Sequence, residues 1–255
     1  MTLERTHNHS EIIRRLETSA NVIGHIDTLG EISTPAGSYP IKKIVLGQGN
    51  SRRALISAGI HGDEPAGVGA ICEFLESGRH LPFLDTWELT VLPCINPYGF
   101  EHGTRENHHG IDLNRMFREE SPPAEVVLTQ SIVTASSYDL SLELHEDCES
   151  SGYYLYEKAE PPQKTSLGFR VIEAVKYLMP INKDEKIEGT PSERGVIHRL
   201  KDPKDMEWWP MALYSLATGP THCITLETAT HFSMETRIEA HVTALVTALS
   251  NFQVN

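Results

Sequence analysis

Gly59-Ile60-His61-Gly62-Asp63-Glu64-Pro65 sets an imidazole and a carboxylate three residues apart, where an apolar run meets a proline-opened helix. The run Ala54-Leu55-Ile56-Ser57-Ala58-Gly59-Ile60 reads as a buried strand. Pro65 suits the first helical position, because its missing N–H would have no intrahelical partner there. Val68, Ile71, Cys72, Phe74 and Leu75 follow at helical spacing and predict a helix over 65–76. Two ligand-type side chains therefore stand at the carboxyl end of a strand, beside a helix N-terminus, where open α/β sheets place their sites. Zinc takes imidazole nitrogen and carboxylate oxygen, and a catalytic site with two His and one Glu keeps a position open for water. Turns are rich in Asp, Gly and His for backbone reasons alone, so the pair needs company elsewhere in the chain.

Outward from this stretch, strands are expected over 30–33, 39–46, 54–60 and 87–95, with the 65–76 helix between the last two. That βαβ unit predicts parallel pairing and a right-handed crossover. Ile12, Ile13 and Leu16 mark a helical lead-in within the first two dozen residues. Residues 96–117, rich in Gly, His, Asn and Arg without hydrophobic periodicity, read as a long ordered loop of the kind that carries function. Pro122 and Pro123 open a helix to about 136. In a strand over 139–144, Ser141, Glu143 and His145 alternate against Leu140, Leu142 and Leu144. A short strand (152–156) and a helix (165–178) follow. Residues 182–209, polar and containing Gly and Pro, read as a lid or specificity segment, with Trp208, Trp209 and Met211 either forming an apolar wall or packing in the core. A short helix (210–217), a strand (222–226) and a closing helix (233–252) finish the chain. The alternation predicts an α/β fold: one domain over residues 1–255, an α/β/α sandwich around a mixed, mostly parallel twisted sheet.

The chain has 255 residues, 39% of them apolar, enough to bury one large core. Its 22 Lys and Arg against 35 Asp and Glu give a net charge of −13, which argues against nucleic acid and anionic membrane surfaces as partners. No run is long and apolar enough to span a bilayer, and the first residues carry no apolar signal segment. Cys72, Cys94, Cys148 and Cys223 are far apart and lack C-x-x-C spacing, which suits free thiols. The cytoplasm is the expected compartment.

Three further signals accompany the His61–Glu64 pair. His145 ends a predicted strand and is the best third ligand, with Glu143, Glu146 and Asp147 as rival ligands or as partners that orient an imidazole. The run from Arg105 to Arg115 puts two arginines and Asn114 in one loop behind Asn96-Pro97-Tyr98-Gly99. A guanidinium fork grips a carboxylate bidentately and an amide adds directional donors, although a loop stapled by Asp112–Arg ion pairs is the plainer alternative. The His108-His109 pair is taken as a loop feature. Finally, Cys223-Ile224-Thr225-Leu226-Glu227 is an apolar strand ending in a carboxylate, a position suited to a general base. Asp63, Glu146 and Asp147 flank the proposed ligands and leave room for a second ion.

In this order the signals resemble the M14 zinc carboxypeptidases, over about two-thirds of the sequence from Ala54 to Thr228. The H-x-x-E pattern is His61…Glu64, the N-P-D-G segment appears as Asn96-Pro97-Tyr98-Gly99 with one departure, and the R…G-V-D-L-N-R run appears as Arg105…Gly110-Ile111-Asp112-Leu113-Asn114-Arg115. The resemblance is greatest to small cytoplasmic members of the murein tripeptide amidase kind. It implies that His61, Glu64 and His145 hold one Zn²⁺, and that Glu227 is the general base. It further implies that Arg105 polarises the scissile carbonyl and that Asn114 and Arg115 grip a terminal carboxylate. No motif anchors a counterpart of the family's substrate-capping tyrosine, though Tyr214 lies in the right region.

The expected activity is therefore zinc-dependent hydrolysis of an amide bond next to a free carboxylate, on a small peptide or N-acyl amino acid. The runner-up is an N-acyl amino acid deacylase resembling the succinylglutamate desuccinylase and aspartoacylase branch. Those relatives carry a further β domain after the glutamate, whereas 28 residues follow Glu227 here, which counts against that branch. A non-catalytic binding module has no reason to keep a base beside its ligands. A serine hydrolase would require a G-x-S-x-G elbow, which the chain lacks.

Overall fold

Among the described residues ten segments become strands, and eight of them pair into one sheet. The computed structural model describes residues 7–20, 24–159, 166–198, 206–219 and 221–253. The sheet order is β1 (Gly24–Thr34), β2 (Gly37–Leu46), β4 (Trp87–Leu92), β3 (Arg52–Ala58), β5 (Leu140–Asp147), β10 (His222–Ala229), β6 (Tyr154–Ala159) and β9 (Val196–His198). The four central strands, β4, β3, β5 and β10, run parallel; the β1–β2 hairpin and β6 join antiparallel, and β9 pairs parallel to β6. β7 (Lys186–Ile187) and β8 (Thr190–Pro191) form a separate small hairpin. The expected mixed, mostly parallel sheet is the observed one.

Strand parity divides the core in two. Ala54, Ile56 and Ala58 of β3 and Leu140, Leu142 and Leu144 of β5 face the larger cluster. That cluster packs them under α1 (His9–Ala20), α2 (Pro65–Glu76), α5 (Leu167–Val175) and α7 (Met234–Asn251). Leu55 faces the smaller cluster with Val126 of α4 (Ala124–Val133) and Met211 of α6 (Met211–Thr218). Helices thus cover both faces, as expected of an α/β/α sandwich. Ser141, Glu143 and His145 lie on the thinner side, away from their leucine neighbours, as the period-two alternation requires.

Several boundaries differ from the sequence expectation. β5 runs on to Asp147, because Glu146 is buried and partnered rather than exposed. β1 starts at Gly24 and pairs along its length with β2. The supposed loop at 96–117 contains α3 (Pro97–His102) and a 3₁₀ turn at Leu113–Arg115. Asn96 caps α3 by accepting from Gly99 N–H, Pro97 opens it, and Gly103 closes it in the left-handed conformation (φ 62°). Six residues are too few to show a helical period. The 182–209 segment supplies β7, β8 and β9, its residues 199–205 lying outside the described set, as do Thr165 and the outer parts of the lead-in (1–6 and 21–23).

Candidate active site

The turn between β3 and α2 brings His61 and Glu64 to the carboxyl edge of the sheet. Gly62 is required there: a Cβ would stand 1.9 Å from Gly99 C and 2.3 Å from Phe100 N of α3. The close approach lets Gly62 N–H donate to Arg105 O (3.4 Å), which also accepts from Asn96 Nδ2 (3.2 Å). The Asn-Pro-x-Gly segment therefore caps a helix and fixes the backbone of Arg105 against the turn carrying His61.

Glu64 is the N-cap residue of α2, yet its side chain makes no cap bond. Its carboxylate lies instead between two imidazoles, Oε1 at 2.6 Å from His61 Nδ1 and Oε2 at 2.9 Å from His145 Nδ1. The rings meet edge to face, with centroids 5.1 Å apart. His61 Nε2 is 3.2 Å from Asp112 Oδ1, so the nitrogen turned away from Glu64 has its own acceptor. Asp112 also accepts from Arg105 Nε (3.1 Å) and from Asn114 N–H (3.0 Å), while Arg105 Nη1 reaches Glu64 Oε1 at 3.4 Å. The Asp112–Arg pairing read as a loop staple is thus present, and the same carboxylate holds the outer nitrogen of the His61 ring. That role of Asp112 was missed from sequence; its place one residue after Gly110-Ile111 in the Arg105–Arg115 run was the available signal.

Glu227 stands beside His145 as its register partner on β10, partly buried. Thr225 and Glu143 form the next pair on the same face. Asn114 is buried, its Oδ1 accepting from Met211 N–H (2.9 Å), which ties the 3₁₀ turn to α6. Arg115 stacks on Trp208, guanidinium carbon 3.9 Å from the ring centre. All seven residues singled out from sequence, His61, Glu64, His145, Glu227, Arg105, Asn114 and Arg115, border one cavity of about 810 Å³. The β7–β8 hairpin borders it too, through Glu188, Gly189, Thr190 and Pro191. Trp208 is a wall of the cavity, whereas Met211 lies in the smaller core and Trp209 packs against that core. Tyr214 packs on Phe117 (5.6 Å between rings) and does not border the cavity; Tyr154 and Tyr156 do. His108 and His109 border a separate, smaller cavity.

The charges hold one another. Burial alone would push His61 down, but the Glu64 carboxylate and then the Asp112 hydrogen bond outweigh it and hold the imidazole up at about 9. Burial would raise Glu64, and the two imidazoles overcome it and keep the carboxyl well below its usual range. Burial pushes Glu227 up to about 8; His145 pulls it the other way, and Glu64 and Asp147 add to the rise. A carboxylate raised toward neutrality is suited to moving protons near pH 7.

The donor set tests well against a metal ion. The ligand atoms of His61, Glu64 and His145 are buried, lie within 4.8 Å of one another, and number two imidazole nitrogens and one carboxylate oxygen. Both Nδ1 atoms face Glu64, the arrangement in which a cation replaces the protons that now link them. Among the described residues no other such group occurs. Asp63 is exposed, Asp147 accepts from Tyr154 Oη (2.9 Å) and Glu149 N–H (2.8 Å), and Glu146 pairs with Arg237. These three acids therefore do not converge on a second ion.

Residues 50–251 match the family model of the succinylglutamate desuccinylase/aspartoacylase catalytic domain. A protein classed as a metallopeptidase from Shewanella amazonensis SB2B has a similar structure (TM-score 0.82, 24% identity, 96% of this chain and 93% of that one). So do a metallo-carboxypeptidase from Burkholderia cenocepacia (0.70, 16%, 95% and 68%) and one from Pseudomonas aeruginosa (0.66, 18%, 98% and 68%). At these identities the likeness is one of fold. No curated protein matches the sequence significantly. No helix among the described residues is long and apolar enough to cross a membrane.

Proposed function

The chain belongs to the succinylglutamate desuccinylase/aspartoacylase catalytic-domain family and is a hydrolase-type enzyme, and on that premise we propose that it hydrolyses an amide bond next to a free carboxylate, as one catalytic domain holding one zinc ion. The observation that carries this reading is the cavity that joins the His61–Glu64–His145 cluster to a raised carboxylate, Glu227, and to two guanidinium groups, Arg105 and Arg115. When bound, zinc lowers the pKa of water to near neutrality and polarises a carbonyl oxygen. Glu227 takes the proton of the attacking water and returns it to the leaving amine. Arg105 faces the negative charge developing on the carbonyl oxygen, a contact worth roughly 3–4 kcal/mol per donor in comparable sites. Arg115 and the Nδ2 amide of Asn114 grip the substrate carboxylate, and the Trp208 ring holds the guanidinium plane in place. Asp112 keeps the His61 ring turned with Nδ1 inward. An acidic protein accepts an acidic group here because local cations outweigh net charge at contact distance.

The substrate is a small peptide or an N-acyl amino acid. The family assignment accommodates both: deacylation of an N-acyl amino acid uses the same groups with an acyl chain in place of the peptide. A hydrolysis screen decides, run with and without chelator on dipeptides, γ-glutamyl peptides, cell-wall tripeptide, N-acetyl-aspartate and N-succinyl-glutamate. Chelator-sensitive release of a free amino acid is the expected result. No turnover of any carboxylate-bearing amide in zinc-loaded protein would overturn the assignment.

A further inference from the structure

His61, Glu64 and His145 lie beyond the last rung that joins their strands. β3 and β5 pair from Ala54↔Leu140 to Ala58↔Leu144, after which β3 leaves the sheet and β5 continues to Asp147 beside β10. The backbone ladder therefore stops short of the ligands. Glu146 supplies two bonds that bridge the gap. Its N–H donates to Glu64 Oε2 (3.2 Å), and its own Oε2 accepts from Ala66 N–H (2.7 Å) in the first turn of α2. Glu64, as N-cap, would ordinarily satisfy such an amide, but its carboxylate is committed to the imidazoles. Glu146 thus caps α2 from the neighbouring strand and also draws favourable interaction from the helix N-terminus. The helix can come so close only because residue 67 is glycine: a Cβ there would stand 2.9 Å from Leu144 Cβ.

A fully buried carboxylate needs a counter-charge. Arg237, near the start of α7, provides it through Nη1 to Glu146 Oε1, with the Glu146 side chain wholly buried and that of Arg237 12% exposed. The geometry points to Arg237 and Glu146 as a strut that sets metal affinity by holding the β5 ligand, His145, in register with the α2 ligand, Glu64. Neither side chain is a ligand: both are positioning residues, and the inference rests on the metal reading given above.

The test measures zinc affinity of the full chain by competition with a chromogenic chelator, alongside thermal unfolding of the zinc-free protein. Arg237→Met is expected to weaken zinc binding roughly 10–100-fold, the range typical of partners behind a ligand shell, and Arg237→Lys, which keeps the charge, to recover most of the loss. Glu146→Gln keeps an oxygen for Ala66 N–H and removes the charge. It is expected to fold even if Arg237→Met does not, and to weaken zinc binding at least roughly threefold. A variant that unfolds at lower temperature yet binds zinc as tightly as the parent reduces the pair to a stabilising contact and overturns the strut. A parent chain that binds no zinc removes the metal reading itself, and the strut with it, an outcome the same titration distinguishes.

Discussion

Glu64 and Glu157 are both buried carboxylates beside a histidine, at opposite ends of β10, and they do different things. Glu157 on β6 accepts from His222 Nε2 (2.9 Å), from Gly168 N–H (3.1 Å) and from Ser166 Oγ, which in turn caps α5 through Phe169 N–H. Its donors are a ring nitrogen, a hydroxyl and a backbone amide, and it borders neither of the cavities described above. Glu64 has two imidazole nitrogens turned on it at the wall of an 810 Å³ cavity, with a guanidinium 3.4 Å away. A buried Glu–His pair is thus not by itself a site. Two rings converging on one carboxylate at an open cavity, each able to exchange a proton for a cation, make one.

The contrast is broken or sharpened by substitution. Glu64→Gln should lower zinc affinity by at least roughly a hundredfold and take hydrolysis to background. Glu157→Gln should leave both unchanged per folded molecule, as zinc titration and active-site-normalised rates would reveal. Equal loss in the two variants would erase the distinction. Glu227→Gln should keep zinc bound and lose at least roughly a hundredfold in kcat; retained activity removes Glu227 from proton transfer. Arg115→Ala should raise KM roughly 10–100-fold for substrates with a free carboxylate, the loss of a charge-assisted hydrogen bond of about 1.5–3 kcal/mol. Its amidated counterparts should change little, and an equal rise for both would dismiss the carboxylate grip.

The smallest effect concerns stability. Burial would raise Glu157, but its bonds to His222, Ser166 and Gly168 outweigh that and hold its folded-state pKa below the ordinary value. Its contribution is therefore complete above the unfolded-state pKa of about 4.3 and drains away as the pH falls through the lower folded-state value. Denaturant unfolding should show Glu157→Gln costing about 1–3 kcal/mol at pH 7 and less at pH 4. A cost that grows on acidification would contradict the assigned direction.

Much of this was legible in the sequence because local chemistry and long-range order agreed. Pro65 marks the start of α2, the Leu140–Leu142–Leu144 alternation assigns His145 to the opposite face, and the run from Arg105 to Arg115 delivers three cavity residues within one loop. What escaped depends on tertiary burial. Glu146 and Asp147 are acids that look like the start of a loop, but they pair with Thr228 and Ala229 of β10, and Ala66, Arg237 and Tyr154 satisfy their carboxylates. The α3 helix is signed by its caps rather than by a hydrophobic period. Arg237 has no local signature at all: its significance comes from where α7 packs. The 28 residues after Glu227 do not separate the two substrate readings, since the family model over 50–251 covers a catalytic domain that both readings share.

The most direct measurement is metal content against turnover on one preparation. Protein stripped with chelator and titrated with zinc should regain hydrolysis in proportion to zinc bound, saturating at one ion per chain. Full activity in metal-free protein, or saturation without any gain in turnover, would contradict the assignment of His61, Glu64 and His145 as the centre of the chemistry.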